Sequence, residues 1–464
     1  DLDAELDRSR RGSEPISTKG TANRGACLRP RSSSGRAALH GLDRLVPMTD
    51  AASTALAGPT AAAPQDDLVR AFDALTPEVM RHRGSLKWTQ YGGDVIGAWV
   101  AEMDLGTAPA VTEVLRRAVE DGTLGYMPTG VGEAAREAVA AFQERAFGWR
   151  VPVEDVSLLP NVLSALEAVI ERHTRPGSAV IVPTPAYMPF LSIPGRCGRE
   201  CVQVPARRGH DAAGRPVWDL DPDRIEAAMA DGAGLLVLCN PWNPVGRVLP
   251  PADLDAVAAL SSRYRVPVFA DEIHSPLVLD PAAAHTPYAS RPAAEADLTF
   301  TATAVSKGWN IPGLMCAQLI ASGGARASWE ASAPSAHLAD ETAALGARAA
   351  AAALTPAGLA WIRTVRSYIR GNAELVAETL ADVEGMELTA PAGTYLAWLD
   401  CSGLDLQGTA PARFFRREPG VAMSPGAAFG RGYERFCRLN LATGRGIAAR
   451  IAQRLAGAVG ALRA

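Results

Sequence analysis

From about Val95 onward, short apolar runs alternate with longer amphipathic stretches, and this alternation restricts the fold more than any other feature of the 464-residue chain. The runs at 179–182, 235–239, 266–270, 298–302 and 317–321 have the length and composition of buried strands. Helical patterns lie between several of them, for example at 161–172 and at 251–264, the second opened by Pro250 and Pro251. Strand and helix in alternation predict an α/β core around a largely parallel sheet. Beyond His337 the texture changes to a long Ala-rich helical region, strands at 395–400 and 438–442, and a final amphipathic helix. That predicts a second, smaller α+β domain. The expected division is an N-terminal extension at 1–65, an arm at 66–95, a large domain at 96–335 and a small C-terminal domain at 336–464. No repeat at solenoid periods is visible.

Composition narrows the function. With 48% hydrophobic and 21% charged residues and a net charge of -4, the chain has no field that would gather nucleic acid or acidic lipid. No nucleic-acid or membrane partner is expected, and no run of about 18 apolar residues exists to span a bilayer. The seven cysteines are odd in number and scattered, and the histidines add no ligand pair at zinc spacing. This predicts no metal, a reducing compartment and a cytoplasmic protein. The stretch to Pro47 is rich in Arg, Ser and Gly without periodicity and is expected to be disordered, with order beginning near Leu68. Its acidic Asp1, Asp3, Glu5 and Asp7 argue against a transit segment.

The chemistry gathers at predicted strand ends, where ligands bind in open α/β sheets. One strand runs into Asp271-Glu-Ile-His274, another into Asn240-Pro-Trp-Asn-Pro-Val-Gly246, and a third into Ser306-Lys307. An amide, a carboxylate and an amine are thereby offered together. Pyridoxal phosphate (PLP) needs such a set: a lysine to bind its aldehyde, an acid at the pyridine nitrogen and a donor to its phenolic oxygen. Its phosphate suits a helix N-terminus, and Leu158-Leu-Pro-Asn-Val-Leu-Ser164 enters one. Singly, a lysine after a strand is a surface residue and Asn-Pro an ordinary turn; their order and shared placement carry the argument. Gly130-Val-Gly132 lacks a preceding strand, which speaks against a dinucleotide fingerprint, and no nucleophile elbow or P-loop is present.

The chain resembles the fold-type I PLP enzymes, with the aspartate-aminotransferase fold, and within them the cystathionine β-lyase-like carbon–sulfur lyases. The resemblance runs from about Leu86 to the C-terminus. It rests on Leu86-Lys-Trp88, Val100-Ala-Glu-Met-Asp104, Gly125-Tyr126, Pro185-Ala-Tyr-Met-Pro-Phe190, Asn240 to Arg247, Asp271 to His274, Ser306 to Gly313, Gly393 to Asp400 and Arg438 to Ala442. It implies a mostly parallel seven-stranded sheet, a homodimer with shared active sites, and an amino-acid substrate. Lys307 would be the lysine that binds the cofactor and the base for the substrate α-proton. Asp271 would partner the pyridine nitrogen, and Asn243 the phenolic oxygen. His274 stands where many aminotransferases place a tyrosine. Tyr187 would stack on the ring. The backbone of Val162 and Leu163, with the Ser306 hydroxyl, would hold the phosphate, and Tyr126 would reach it from the neighbouring subunit. Arg438 would clamp the substrate carboxylate.

Ala304 and Met315 depart from the wider pattern, in which hydroxyl and cationic residues at those positions bind phosphate. Cofactor retention is therefore expected to be weak; full loading after prolonged dialysis would contradict this. The activity implied is β-elimination from cystathionine or another S-substituted cysteine. An aminotransferase is the alternative, and a regulatory protein that keeps the fold is a further one. Trp242 and Trp309 could line the pocket for the thiol arm or fill the core.

Overall fold

The computed structural model describes residues 65–462; the predicted disordered extension, apart from Gln65, lies outside them. A seven-stranded sheet is built from β1 (Val156–Leu159), β2 (Ala179–Thr184), β3 (Glu200–Pro205), β4 (Leu235–Cys239), β5 (Val268–Asp271), β6 (Thr299–Thr303) and β7 (Ala317–Ile320). Its order is β1-β7-β6-β5-β4-β2-β3. All neighbours pair in parallel except around β7, which runs antiparallel to both β1 and β6. The central strands β5 and β6 are buried along their whole length; β5 reads as an apolar run up to Asp271, while β6 alternates threonine with Phe300 and Ala302 although both its faces are covered.

The helices between strands form where caps permit. Val162–His173 starts at Asn161, whose side chain accepts the N–H of Ser164 at 3.0 Å. Pro251–Tyr264 starts on Pro251, which has no N–H to leave unsatisfied. Strand β5 begins two residues later than its apolar run because Pro267 cannot donate to the ladder. A hairpin, Arg207–His210 with Pro216–Asp219, was not predicted: Trp218 alone of its strand residues is buried, which leaves no periodic apolar pattern.

A second, four-stranded antiparallel sheet follows, made of β8 (Glu387–Thr389), β9 (Leu396–Asp400), β10 (Ser424–Pro425) and β11 (Phe436–Asn440) in the order β8-β9-β11-β10. Strand β11 ends two residues earlier than predicted, because the Ala442 N–H is taken at 2.8 Å by the Asn440 side chain. The long helix Pro356–Leu380 buries Trp361, Val365, Tyr368, Ile369, Ala373 and Val376 along one stripe, and packs against Arg445–Ala461. Among the described residues no single helix is long and apolar enough to cross a membrane.

Candidate active site

Five strands of the large sheet deliver side chains at their carboxyl ends. Strands β4, β5 and β6 lie side by side, with Cys239 opposite Asp271 and Asp271 opposite Ala302. Their exits carry Asn243, Asp271 with His274, and Lys307. Strand β2 leads into Tyr187, and β1 into Val162 and Leu163. Strands β1 and β6 flank β7, which puts their ends two strand spacings apart, about 10 Å. The Asn161 cap occupies the Ser164 N–H, so the Val162 and Leu163 N–H groups are the ones left without intrahelical partners at that terminus.

Local structure fixes each group. The turn that carries Asn243 is closed by bonds from Trp242 N to Arg247 O and from Gly246 N to Trp242 O, both 2.7 Å. Gly246 has φ 69°, and a Cβ on it would stand 2.5 Å from Cβ of Pro391. Trp242 is core here, donating its indole N–H to Pro185 O at 2.8 Å; Trp309 likewise donates to Gly358 O at 3.0 Å. Both are fully buried, so the core-filling reading of these tryptophans holds.

Arg438, on β11, is buried and brought to the same place. It donates to Asn243 Oδ1 at 3.0 Å, to Trp99 O at 3.0 Å and to Ser424 Oγ at 3.2 Å, and lies over the Phe429 ring at 4.9 Å. Its Nε is buried without a partner, and no carboxylate pairs with it among the described residues. Because a guanidinium only donates, the Asn243 amide must turn its oxygen to Arg438 and its Nδ2 the other way.

The stretch Trp99–Asp104 ties the two sheets' contributions together through its carbonyls. Trp99 O accepts Arg438, Val100 O and Glu102 O accept Asn440 Nδ2 at 2.6 and 2.7 Å, and Ala101 O accepts Lys307 Nζ at 3.0 Å and Tyr395 OH at 2.9 Å. Asn310 grips Met103 by both N and O, at 2.8 and 2.9 Å. Sequence reading did not find this segment's role, since backbone acceptors leave no residue-type signature. It also took Tyr395 as a plain strand residue, whereas the left-handed Thr394 (φ 70°) sets it ahead of β9.

The charges here are poorly compensated. Burial above all, with Arg438 adding, lowers the Lys307 amine to about 8, against the pull of Asp271 and Glu102. Burial raises the Asp271 carboxyl to about 7, although the Ile273 N–H (3.1 Å) and Lys307 oppose it. Burial, helped by Lys307 and Arg438, lowers His274 to about 3, so its imidazole is neutral; its Nδ1 has no partner. Arg438 falls to about 10 through burial and stays charged at neutral pH. Burial also raises the Tyr187 hydroxyl, which feels both Arg438 and Asp271. Ser306 precedes Lys307 on the same turn. Tyr126 is wholly exposed.

The chain has three lysines, Lys19, Lys87 and Lys307. Lys19 lies outside the described residues. Lys87 is fully buried in an ion pair with Asp104 at 2.9 Å, leaving Lys307 as the described lysine with no ion pair.

Residues 95–452 match the family model for aminotransferase class I and II, and the chain belongs to that family, in its cystathionine β-lyase-like branch. It is 36% identical over 373 residues to a cystathionine β-lyase of Corynebacterium glutamicum, a match covering 79% of this chain and 95% of the relative. The cystathionine β-lyase PatB of Bacillus subtilis (strain 168) is 32% identical over 364 residues, covering 77% and 92%. The crystal structure of cystalysin from Treponema denticola, which contains pyridoxal 5'-phosphate, superimposes with a TM-score of 0.76 at 25% identity, covering 84% of this chain and 99% of that one. The family is PLP-dependent. The residues suit that cofactor: an amine low enough to be partly neutral, a carboxyl whose charge lacks a full counterion, an amide Nδ2 turned away from Arg438, an unpartnered buried imidazole nitrogen and two free N–H groups at a helix start.

Proposed function

We propose that the protein is a PLP-dependent carbon–sulfur β-lyase that cleaves cystathionine or a related S-substituted L-cysteine to a thiol, pyruvate and ammonia. The observation that carries this reading is Lys307: a lysine without an ion-pair partner among the described residues, its amine lowered to about 8, placed on the strand end next to Asp271. The names of the Corynebacterium and Bacillus relatives support the lyase branch over the aminotransferase.

When bound, PLP supplies an electron sink for charge left at the substrate α-carbon. Lys307 would hold it covalently and, once freed by the incoming amine, take the α-proton; an amine that titrates near 8 is suited to that task. Asp271 would face the pyridine nitrogen and keep a proton there, which in turn gives the buried carboxylate its missing counterion. Asn243 Nδ2 and neutral His274 would meet the phenolic oxygen, and Tyr187 the ring face. The Val162 and Leu163 N–H groups with the Ser306 hydroxyl would hold the phosphate. With Ala304 buried and Met315 partly exposed, no hydroxyl or cation from those two positions adds to that hold. Arg438 would orient the α-carboxylate through its unpaired Nε and one terminal nitrogen.

The full exposure of Tyr126, beside the exposed Leu124, supports a homodimer in which Tyr126 serves the second copy's phosphate site. The large sheet lies within 96–335 and the small one within 336–464, which supports that division, although Ile96–Gly97 pairs with Val421–Ala422. The six unbridged cysteines among the described residues support a cytoplasmic setting.

The test is a panel of S-substituted cysteines assayed for pyruvate and free thiol. Release of both without any 2-oxo acid is expected. Amino transfer that requires a 2-oxo acid, with no thiol released, would replace the lyase by an aminotransferase.

A further inference from the structure

Two donors converge on one acceptor beside the reacting amine. Ala101 O accepts Lys307 Nζ at 3.0 Å and Tyr395 OH at 2.9 Å, and a carbonyl oxygen has two lone pairs, so the pair fills it. Tyr395 is fully buried and rigidly set. Its carbonyl accepts Leu441 N at 2.9 Å, the preceding Thr394 N–H is held by Leu277 O at 2.9 Å, and its ring stands edge-on to His274 at 6.2 Å. The Ala101 carbonyl does not depend on Tyr395 for its position, because the residues on either side are held by Asn440 and Asn310. The hydroxyl is therefore superfluous as a strut. What it changes is the acceptor strength of the oxygen that Lys307 uses.

We propose that Tyr395 is a positioning residue acting through Ala101: by occupying one lone pair of that carbonyl it weakens the carbonyl's hold on the released Lys307 amine. A carbonyl free of the phenol would bind an ammonium more tightly than a neutral amine, and would keep the base protonated and parked. With the phenol in place, the amine is released to the substrate side. The other groups that face Lys307 are Arg438, which disfavours its charge, Asp271 and Glu102, which favour it, and neutral His274. None of them is bonded to the Tyr395 hydroxyl, so removing that hydroxyl leaves them in place.

This inference rests on Lys307 being the lysine that binds PLP, and the test separates the two. Full-length wild type and Tyr395→Phe, both freed of cofactor, are mixed with PLP across pH 6 to 10, and the recombination rate is followed by absorbance. Recombination requires the neutral amine, and ionisations of PLP itself cancel between the two proteins. In Tyr395→Phe the pH midpoint should rise by about half a unit, which slows recombination near pH 7 about threefold. The acid limb of the kcat profile should move by the same amount with KM unchanged. An unshifted or lowered midpoint would overturn the proposal, even if the variant were less stable, since a purely packing role moves the unfolding midpoint and leaves the amine's titration alone. If wild-type protein forms no adduct at Lys307 at all, the reading of the site fails instead. Should Tyr395→Phe not fold, Asn440→Ser, which loosens the grip on Val100 and Glu102 without adding a charge, serves as a contrast. It should disturb KM without the upward shift, and an upward shift as large as the one expected for Tyr395→Phe would contradict the assignment to the phenol.

Discussion

Two buried clusters of charge in this molecule are built in opposite ways. Around Asp104, the ammonium of Lys87 lies at 2.9 Å, the Trp88 indole N–H donates at 2.8 Å, and both ionised side chains are essentially without exposure. Every demand made by burial is met within the chain. At the strand ends the reverse holds: among the described residues Arg438 has no carboxylate and Lys307 no ion pair, and Asp271 is pushed up to about 7. Burying an unmatched charge is costly, so a fold keeps such groups where a ligand completes them. The first cluster is architecture that pins the Trp99–Asp104 stretch; the second leaves its charges open to a ligand.

That contrast can be broken by substitution. The largest effect is expected from Lys307→Ala: turnover should fall at least about 10³-fold, the general-base contribution alone being of order 10² to 10⁴. Urea unfolding should show no loss of stability, because the residue removed is a desolvated ammonium. Next comes Asp104→Ala, which strands the Lys87 ammonium in the core and should cost about 3–5 kcal/mol in the same unfolding measurement. A paired Lys87→Met and Asp104→Leu variant should recover most of that. If Asp104→Ala were as harmless to stability as Lys307→Ala, the distinction between the clusters would fail.

Arg438→Lys keeps the charge and loses the planar fork. It should raise KM for the amino-acid substrate by about 10- to 100-fold, in line with about 1.5–3 kcal/mol for bonds to charged groups, with little change in unfolding. A further effect appears only as a pH dependence. The Asp271 carboxyl is raised in the folded state, so in the cofactor-free protein its ionisation works against folding: its penalty is absent near pH 4 and grows as pH rises towards 7. Asp271→Asn should match wild type in stability near pH 4 and exceed it by up to a few kcal/mol above pH 7, at about 1.4 kcal/mol per unit. A constant difference across that range would show that Asp271 carries no such strain. Lys307 acts in the opposite window: its penalty is full below about 8 and is relieved between there and the ordinary lysine value.

Much of this was legible before the structure. The apolar runs predicted five of the seven large-sheet strands to within two residues but not those at 156–159 and 200–205, the second a partly exposed edge strand, and Pro250-Pro251 marked the start of its helix correctly. Lys307, Asp271, Asn243 and His274 could be found because charged or amide groups at the ends of apolar runs are conspicuous. Arg438 and the helix start at Val162 came with the family resemblance and the capping residue. What stayed hidden was whatever depends on main-chain atoms or long-range register. The carbonyls of Trp99 and Ala101, more than 200 residues from the lysine and arginine they bind, have no signature in side-chain type. Tyr395 read as one more strand aromatic because its hydroxyl's partner is a backbone oxygen. The 207–219 hairpin was missed because a single buried residue, Trp218, sets no periodic pattern.

The most direct test of the unmatched lysine is reduction of the full-length protein with borohydride in the presence of PLP, followed by peptide mapping. With only three lysines in the chain the outcome is unambiguous. A pyridoxyl group is expected on the peptide that contains Lys307, and on neither Lys87 nor Lys19. A label on Lys87, or none on Lys307, would contradict the account.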